Sequence, residues 1–123
     1  MRKYGPLNSG EVGTLCVDTD TDADSNKPII GTIVSVGLEF DISCASAPTV
    51  TITTNTTPAI TILAATTDVD GWYQPVQPVH DPLTGLAISD VYTNGIAIHD
   101  FVNVALTNAE EGDSVDVWLM IAE

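Results

Sequence analysis

The residues best placed to do chemistry are the carboxylates at alternate positions in "DTDTDADSN", residues 18–26. Oxygen ligands converging from one loop hold a hard cation, so Asp18, Asp20, Asp22 and Asp24 are candidate calcium ligands. Read as an EF-hand loop from Asp18, the first three ligand positions fit. Ala23, however, stands at the turn glycine and Ile29 at the bidentate glutamate; starting from Asp20, Ser25 and Gly31 fail at the same two places. No helical pattern flanks the run. A solvated acidic loop between two strands is therefore the preferred reading, with calcium as the alternative.

Two His-Asp doublets, His80-Asp81 and His99-Asp100, would suit a metal-dependent hydrolase. The phosphohydrolases built around such a doublet are helical, and this chain shows no third ligand of clear identity. Imidazole and carboxylate satisfying backbone groups at strand ends is the simpler assignment. No GxSxG elbow singles out a serine, and pairing two of 17 acidic residues as a glycosidase couple would be an argument open to any acidic protein. Cys16 and Cys44 lack CxxC spacing and sit in "TLCV" and "ISCA"; they read as small buried thiols, with one bridge between them as the lesser option. The expectation is a protein that is not an enzyme and has no cofactor.

Charge narrows the partners. The formal net charge is −14, and the only cations, Arg2, Lys3 and Lys27, all precede residue 28. Phosphate backbones are bound by cations, so direct nucleic-acid binding is not expected, and phosphoryl transfer would lack its usual clamp. No apolar run reaches membrane-spanning length, and no apolar segment lies behind the basic start, so neither a membrane nor secretion is called for.

The elements that must position these residues are strands. Helical periodicity is interrupted throughout by Pro, Gly or β-branched residues. "IIGTIVSVGLEF" (29–40) is a long strand, and "TVTITT" (49–54) and "AITILAA" (59–65) alternate as an antiparallel hairpin across a short polar turn. "FVNVALT" (101–107) and "SVDVWLMIA" (114–122) suggest a second hairpin, with Val115, Val117 and Leu119 on one face and Asp116 and Trp118 on the other. "GTLCV" (13–17), "LAISDVY" (86–92) and "GIAIH" (95–99) complete seven or eight strands. That number suits one all-β domain over 13–123, a two-layer antiparallel β-sandwich of jelly-roll or immunoglobulin-like type. Residues 1–12, rich in Gly, Pro, Asn and Ser, read as an extended N-terminal arm able to lie on a neighbouring subunit.

"DGWYQPVQPVHD" (70–81) then reads as a rigid corner. Asp70-Gly71 turns the chain, Trp72 and Tyr73 supply a buried anchor, and Pro75, Pro78 and Pro82 keep the segment beyond them extended but unfit for a central strand. His80-Asp81 closes the corner. Trp72, Tyr73 and Tyr92 would alternatively make a sugar-binding platform, but with only two Trp, three Tyr and two Phe in the chain a core or interface role takes precedence.

With "YGP" at 4–6, the Thr/Val-rich hairpin, "DGWYQPVQPVHD" and the closing "IHDFVNVALTNAEEGDSVDVWLMI", nearly the whole chain resembles small structural proteins of tailed-bacteriophage virions. The resemblance implies a capsid decoration, or cement, protein on the virion surface. Its partners would be the major capsid protein and itself, as a homotrimer. Arg2, Lys3, Tyr4, Trp72, Tyr73, His80 and Asp81 would then be interface residues. A head–tail or tail component, and a carbohydrate-binding module for host attachment, are the alternative expectations.

Overall fold

The computed structural model describes residues 1–10, 19–41, 47–55, 57–109 and 112–122. Among them the chain is all-β, with strands β1 (Arg2–Asn8), β2 (Thr19–Asp24), β3 (Ile29–Asp41), β4 (Thr49–Thr54), β5 (Thr61–Thr66), β6 (Gly71–Tyr73), β7 (Val76–His80), β8 (Ala87–Asn94), β9 (Ile96–Asp100), β10 (Val102–Ala109) and β11 (Ser114–Ala122). One sheet runs β1-β11-β3-β6, with β9 also on β3; the other runs β2-β10-β4-β5; β7 and β8 form a separate two-stranded ribbon. The two larger sheets make the expected antiparallel sandwich.

Alternating side chains close the two layers on each other. Val50, Ile52, Ile62, Val102, Val104 and Leu106 come from one inner face. Ile33, Val36, Val115, Val117, Leu119 and Ile121 come from the other, and all twelve belong to one buried cluster. The long strand β3 changes parity on the way: Ile29 and Ile33 are buried in its first half, Val36 and Leu38 in its second. The register accounts for the switch, because Met120 pairs with Ser35 but Ile121 with Ile33, leaving Val34 as the extra residue of a bulge. The same edge of β3 thereby takes two short strands in tandem, β9 on Ile29–Ile33 and β6 on Val36–Leu38.

The hairpin expected between the last two strands does not form. β10 pairs with β2 and β4, whereas β11 pairs with β1 and β3. Each strand carries one fully apolar face, and the short connection places the two faces opposite each other across the core instead of side by side. The faces themselves fall as expected, with Val115, Val117 and Leu119 inward. The hairpin of β4 and β5 forms, with Thr49 opposite Thr66.

Two segments expected as irregular are edge strands. Residues 19–24 of the acidic run, read as a solvated loop, form β2 and pair with β10 from Thr19↔Ala109 to Asp24↔Asn103. The regular two-residue alternation of the run is the pattern a strand requires, and charge on an edge discourages further pairing. Residues 2–8 of the expected arm form β1 and pair with β11 of the same chain. A register shift between Tyr4 and Leu7, at Gly5-Pro6, obscures the alternation, yet both Tyr4 and Leu7 pack on the core. The boundary expected at residue 12, the strand expected at 13–17, Cys16, Asp18 and Cys44 lie outside the described residues.

Candidate functional site

Two surface features stand out from this scaffold: an apolar ribbon that leaves the sandwich and a groove between two tryptophans on the outer face of the five-stranded sheet.

The ribbon is the chain between β6 and β9. Both neighbours hold to β3, so residues 74–95 are an excursion from one edge of the sheet and back. Buried Pro75 and Gly95 form its base, where Gly95 N–H donates to Pro75 O at 2.9 Å. Gly95 has φ +81°, and a Cβ there would lie 2.8 Å from Ile33 O. Only glycine meets both conditions without strain. The register runs from Val76↔Asn94 to His80↔Ala87. The far end is an Asp81-centred turn: the Asp81 carboxylate accepts from Leu83 N–H at 2.8 Å, Asp81 O from Gly85 N–H at 2.8 Å, and Asp81 N–H donates to Leu86 O at 2.8 Å. Along the ribbon Leu83 is 93% exposed, Leu86 70%, Tyr92 59% and Ile88 43%. Scattered apolar residues on a surface mean little, but four on one short two-stranded element make it a candidate contact surface.

The groove arises from register. Trp118 on β11 lies opposite Gly37 on β3, and Gly37 lies opposite Trp72 on β6. Directly opposed residues share a face, so both indoles stand on the outer surface, flanking a glycine. A Cβ on Gly37 would meet three carbons of the Trp72 six-membered ring at 2.9–3.1 Å; one on Gly5 would meet Trp118 Cδ1 at 3.0 Å. Each indole thus covers a glycine of the adjacent strand. The groove measures about 340 Å³, and Lys3, Glu39 and Asp70 contribute polar groups to its walls. Lys3 Nζ stands 5.3 Å from the Trp118 ring centroid, within cation–π range. Asp70 is held by its bond to Phe40 N–H at 2.8 Å.

The residues singled out in the sequence disperse over these features. Trp72, expected as a buried anchor, is 55% exposed, because the "DGWY" corner is an edge strand whose outward position it occupies. Tyr73 is the partly buried member, packing on the core while its hydroxyl donates to Val69 O at 2.8 Å. Tyr92 lies on the ribbon, so the three-aromatic platform is not assembled. Arg2, Lys3 and Tyr4 all engage their own chain: Arg2 donates to Ile30 O at 3.1 Å, Lys3 overlies Trp118, and Tyr4 Oη donates to Asn26 at 3.1 Å with Lys27 Nζ 5.7 Å from its ring. His80 ends β7, and the Asp81 carboxylate accepts from the backbone of the ribbon turn. His99 is exposed on β9, and the Asp100 carboxylate accepts from Phe101 N–H at 2.7 Å. Asp24 accepts from Asn103 Nδ2 at 2.9 Å. Among the described residues no group of three or more His, Cys, Asp or Glu is arranged to hold a metal, and no helix is long and apolar enough to cross a membrane.

Sequence reasoning misses the roles of Trp118 and Leu83. Alternation puts Trp118 on an outward face without a neighbour, and only the register through Gly37 brings Trp72 to it. Leu83, inside "DPLTG", carries no signal beyond its turn-forming neighbours. No protein-family model, no curated protein and no solved structure matches this chain.

Proposed function

We propose that this chain is a non-enzymatic structural protein of a tailed-bacteriophage virion, one that binds the outside of the assembled capsid as a decoration protein and self-associates as a trimer. The observation that carries this reading is the ribbon. This two-stranded ribbon exposes Leu83, Leu86, Ile88 and Tyr92, none of which belongs to the sandwich core, at a cost to solubility. Its chemistry fits burial against protein, either the major capsid protein or a neighbouring copy.

The charge adds to this. A protein of net charge −14 on a capsid surface is repelled by packaged nucleic acid while remaining free to meet a protein shell. Repeated contacts around a symmetric shell make many modest interfaces add up, so no single deep pocket is required. The near-absence of basic residues and the resemblance of the chain to small virion proteins point the same way.

Imaging purified virions at a resolution that traces β-strands tests the proposal. Density for the sandwich on the outer capsid surface, at copy numbers tied to capsid symmetry, is the expected result. Density at the head–tail junction or along the tail would replace it with the connector or tail reading. Absence from the virion would end it. A second, simpler measurement is co-sedimentation with capsids: the Leu83→Ser, Leu86→Ser double variant should lose most of its capsid-bound fraction while keeping its thermal midpoint, because neither side chain belongs to the core.

A further inference from the structure

We infer that the groove between Trp72 and Trp118 is a binding site for a linear, neutral, β-linked glycan. This does not rest on the decoration reading; it concerns the opposite side of β3 from the core, on the outer face of the sheet, and not the ribbon.

Three observations carry it. The indoles sit on β11 and β6, two strand spacings apart, which is about 10 Å at the backbone. Both indoles line the one groove, so an extended chain of sugar rings laid across β3 would reach both. Each indole lies over a glycine, Trp118 against Gly5 and Trp72 against Gly37, so the rings themselves cover the sheet there, and Trp72, more than half exposed, offers the open aromatic surface of the groove. The apolar face of a pyranose stacks on such a surface as other rings do.

The polar groups at the walls are of mixed kind. Lys3 donates, while Glu39 and Asp70 accept. Sugar hydroxyls do both and need both. A cationic peptide would find the carboxylates but meet Lys3 beside Trp118, and an anionic polymer would meet the field of a chain with net charge −14. A neutral polyhydroxylated ligand faces neither penalty.

The chain supplies its own probe, since Trp72 and Trp118 are its two tryptophans and both line the groove. Intrinsic fluorescence is titrated with cellohexaose and with chitohexaose, and with decaproline as the peptide comparison. The expected result is a saturable change with at least one hexasaccharide and none with decaproline. Trp72→Ala should weaken binding at least tenfold by calorimetry, and Glu39→Ala by a smaller factor. Protection of both tryptophans from N-bromosuccinimide oxidation by the bound glycan gives a second readout on the unaltered protein, independent of whether any variant folds. No titration with either hexasaccharide, unchanged affinity in a folded Trp72→Ala, or saturation by decaproline alone would each overturn the inference.

Discussion

Ser9 and Ser25 do the same work at opposite ends of the molecule. Ser25 N–H donates to Val102 O at 2.7 Å while its hydroxyl accepts from Val102 N–H at 3.0 Å; Ser9 N–H donates to Val115 O at 3.0 Å while its hydroxyl accepts from Val115 N–H at 3.1 Å. Each serine replaces one residue of a neighbouring strand and satisfies a buried amide where the ladder ends. Ser25→Ala leaves Val102 N–H buried without its acceptor, and a loss of about 1–3 kcal/mol is expected in denaturant unfolding. Ser25→Thr, which keeps the hydroxyl, should recover part of it. Trp72→Ala belongs to the opposite case: with its ring more than half exposed, its removal should cost under about 1 kcal/mol, which calorimetric unfolding would check. The sequence alone invites the reverse ranking. "GWY" carries a large aromatic that composition argues is needed inside, and only pairing with β3 reveals that Trp72 takes the outward position and Tyr73 the inward one. Ser9 and Ser25, by contrast, sit among turn-forming residues and give no sign of burial.

At the scale of elements, the strands most legible in the sequence are those with unbroken alternation: β4, β5, β10 and β11 all have close to their expected bounds. Their partners are less legible, because alternation specifies a buried face without saying which strand lies beside it. β10 and β11 satisfy their apolar faces across the core, and that arrangement is indistinguishable from a hairpin in the pattern of residues 101–122. β3 is equally legible in its bounds, Ile29–Asp41 against the expected 29–40, and only its change of parity at Val34 is hidden; β1 is obscured by the bulge at Gly5-Pro6. β2 is hidden by its aspartates, which composition assigns to loops. The observed pairings lead to two expected outcomes. Deleting residues 1–8 strips one neighbour from β11 and removes Tyr4 and Leu7 from the core margin. The truncated protein should therefore unfold at lower denaturant, with a loss of several kcal/mol on the order of what two partly buried side chains and a strand of ladder contribute. An unchanged midpoint would mean that β1 detaches without consequence, as a free arm would. Gly95→Ala, at the base of the ribbon, combines positive φ with a Cβ 2.8 Å from Ile33 O. A cost of about 1–3 kcal/mol is expected, and proteolysis between residues 74 and 95 should accelerate more than cleavage elsewhere.

The whole molecule is electrostatically uneven, and its stability should show it. All three cations gather near β1: Arg2 on Ile30 O, Lys3 on Trp118, Lys27 on Tyr4. The rest of the chain carries acidic residues with no Lys or Arg after residue 27. At a net charge of −14, mutual repulsion opposes the compact state more than the extended one. Screening lengths fall from about 30 Å at 0.01 M salt to about 10 Å at 0.1 M, so most of that repulsion is removed within this range. The thermal midpoint should therefore rise steeply with sodium chloride up to about 0.1 M and flatten beyond it. A midpoint insensitive to salt would mean that the acidic residues are already balanced within the fold. Divalent cations separate this general effect from binding at the aspartates of β2, whose positions alternate along an edge strand and do not curl into a loop. At matched ionic strength, magnesium and calcium chloride should raise the midpoint equally if screening alone acts. A larger rise with calcium, abolished by Asp24→Asn, would instead give the β2 aspartates the ligand role that their strand geometry argues against, since positions spaced along an extended edge do not converge on one ion.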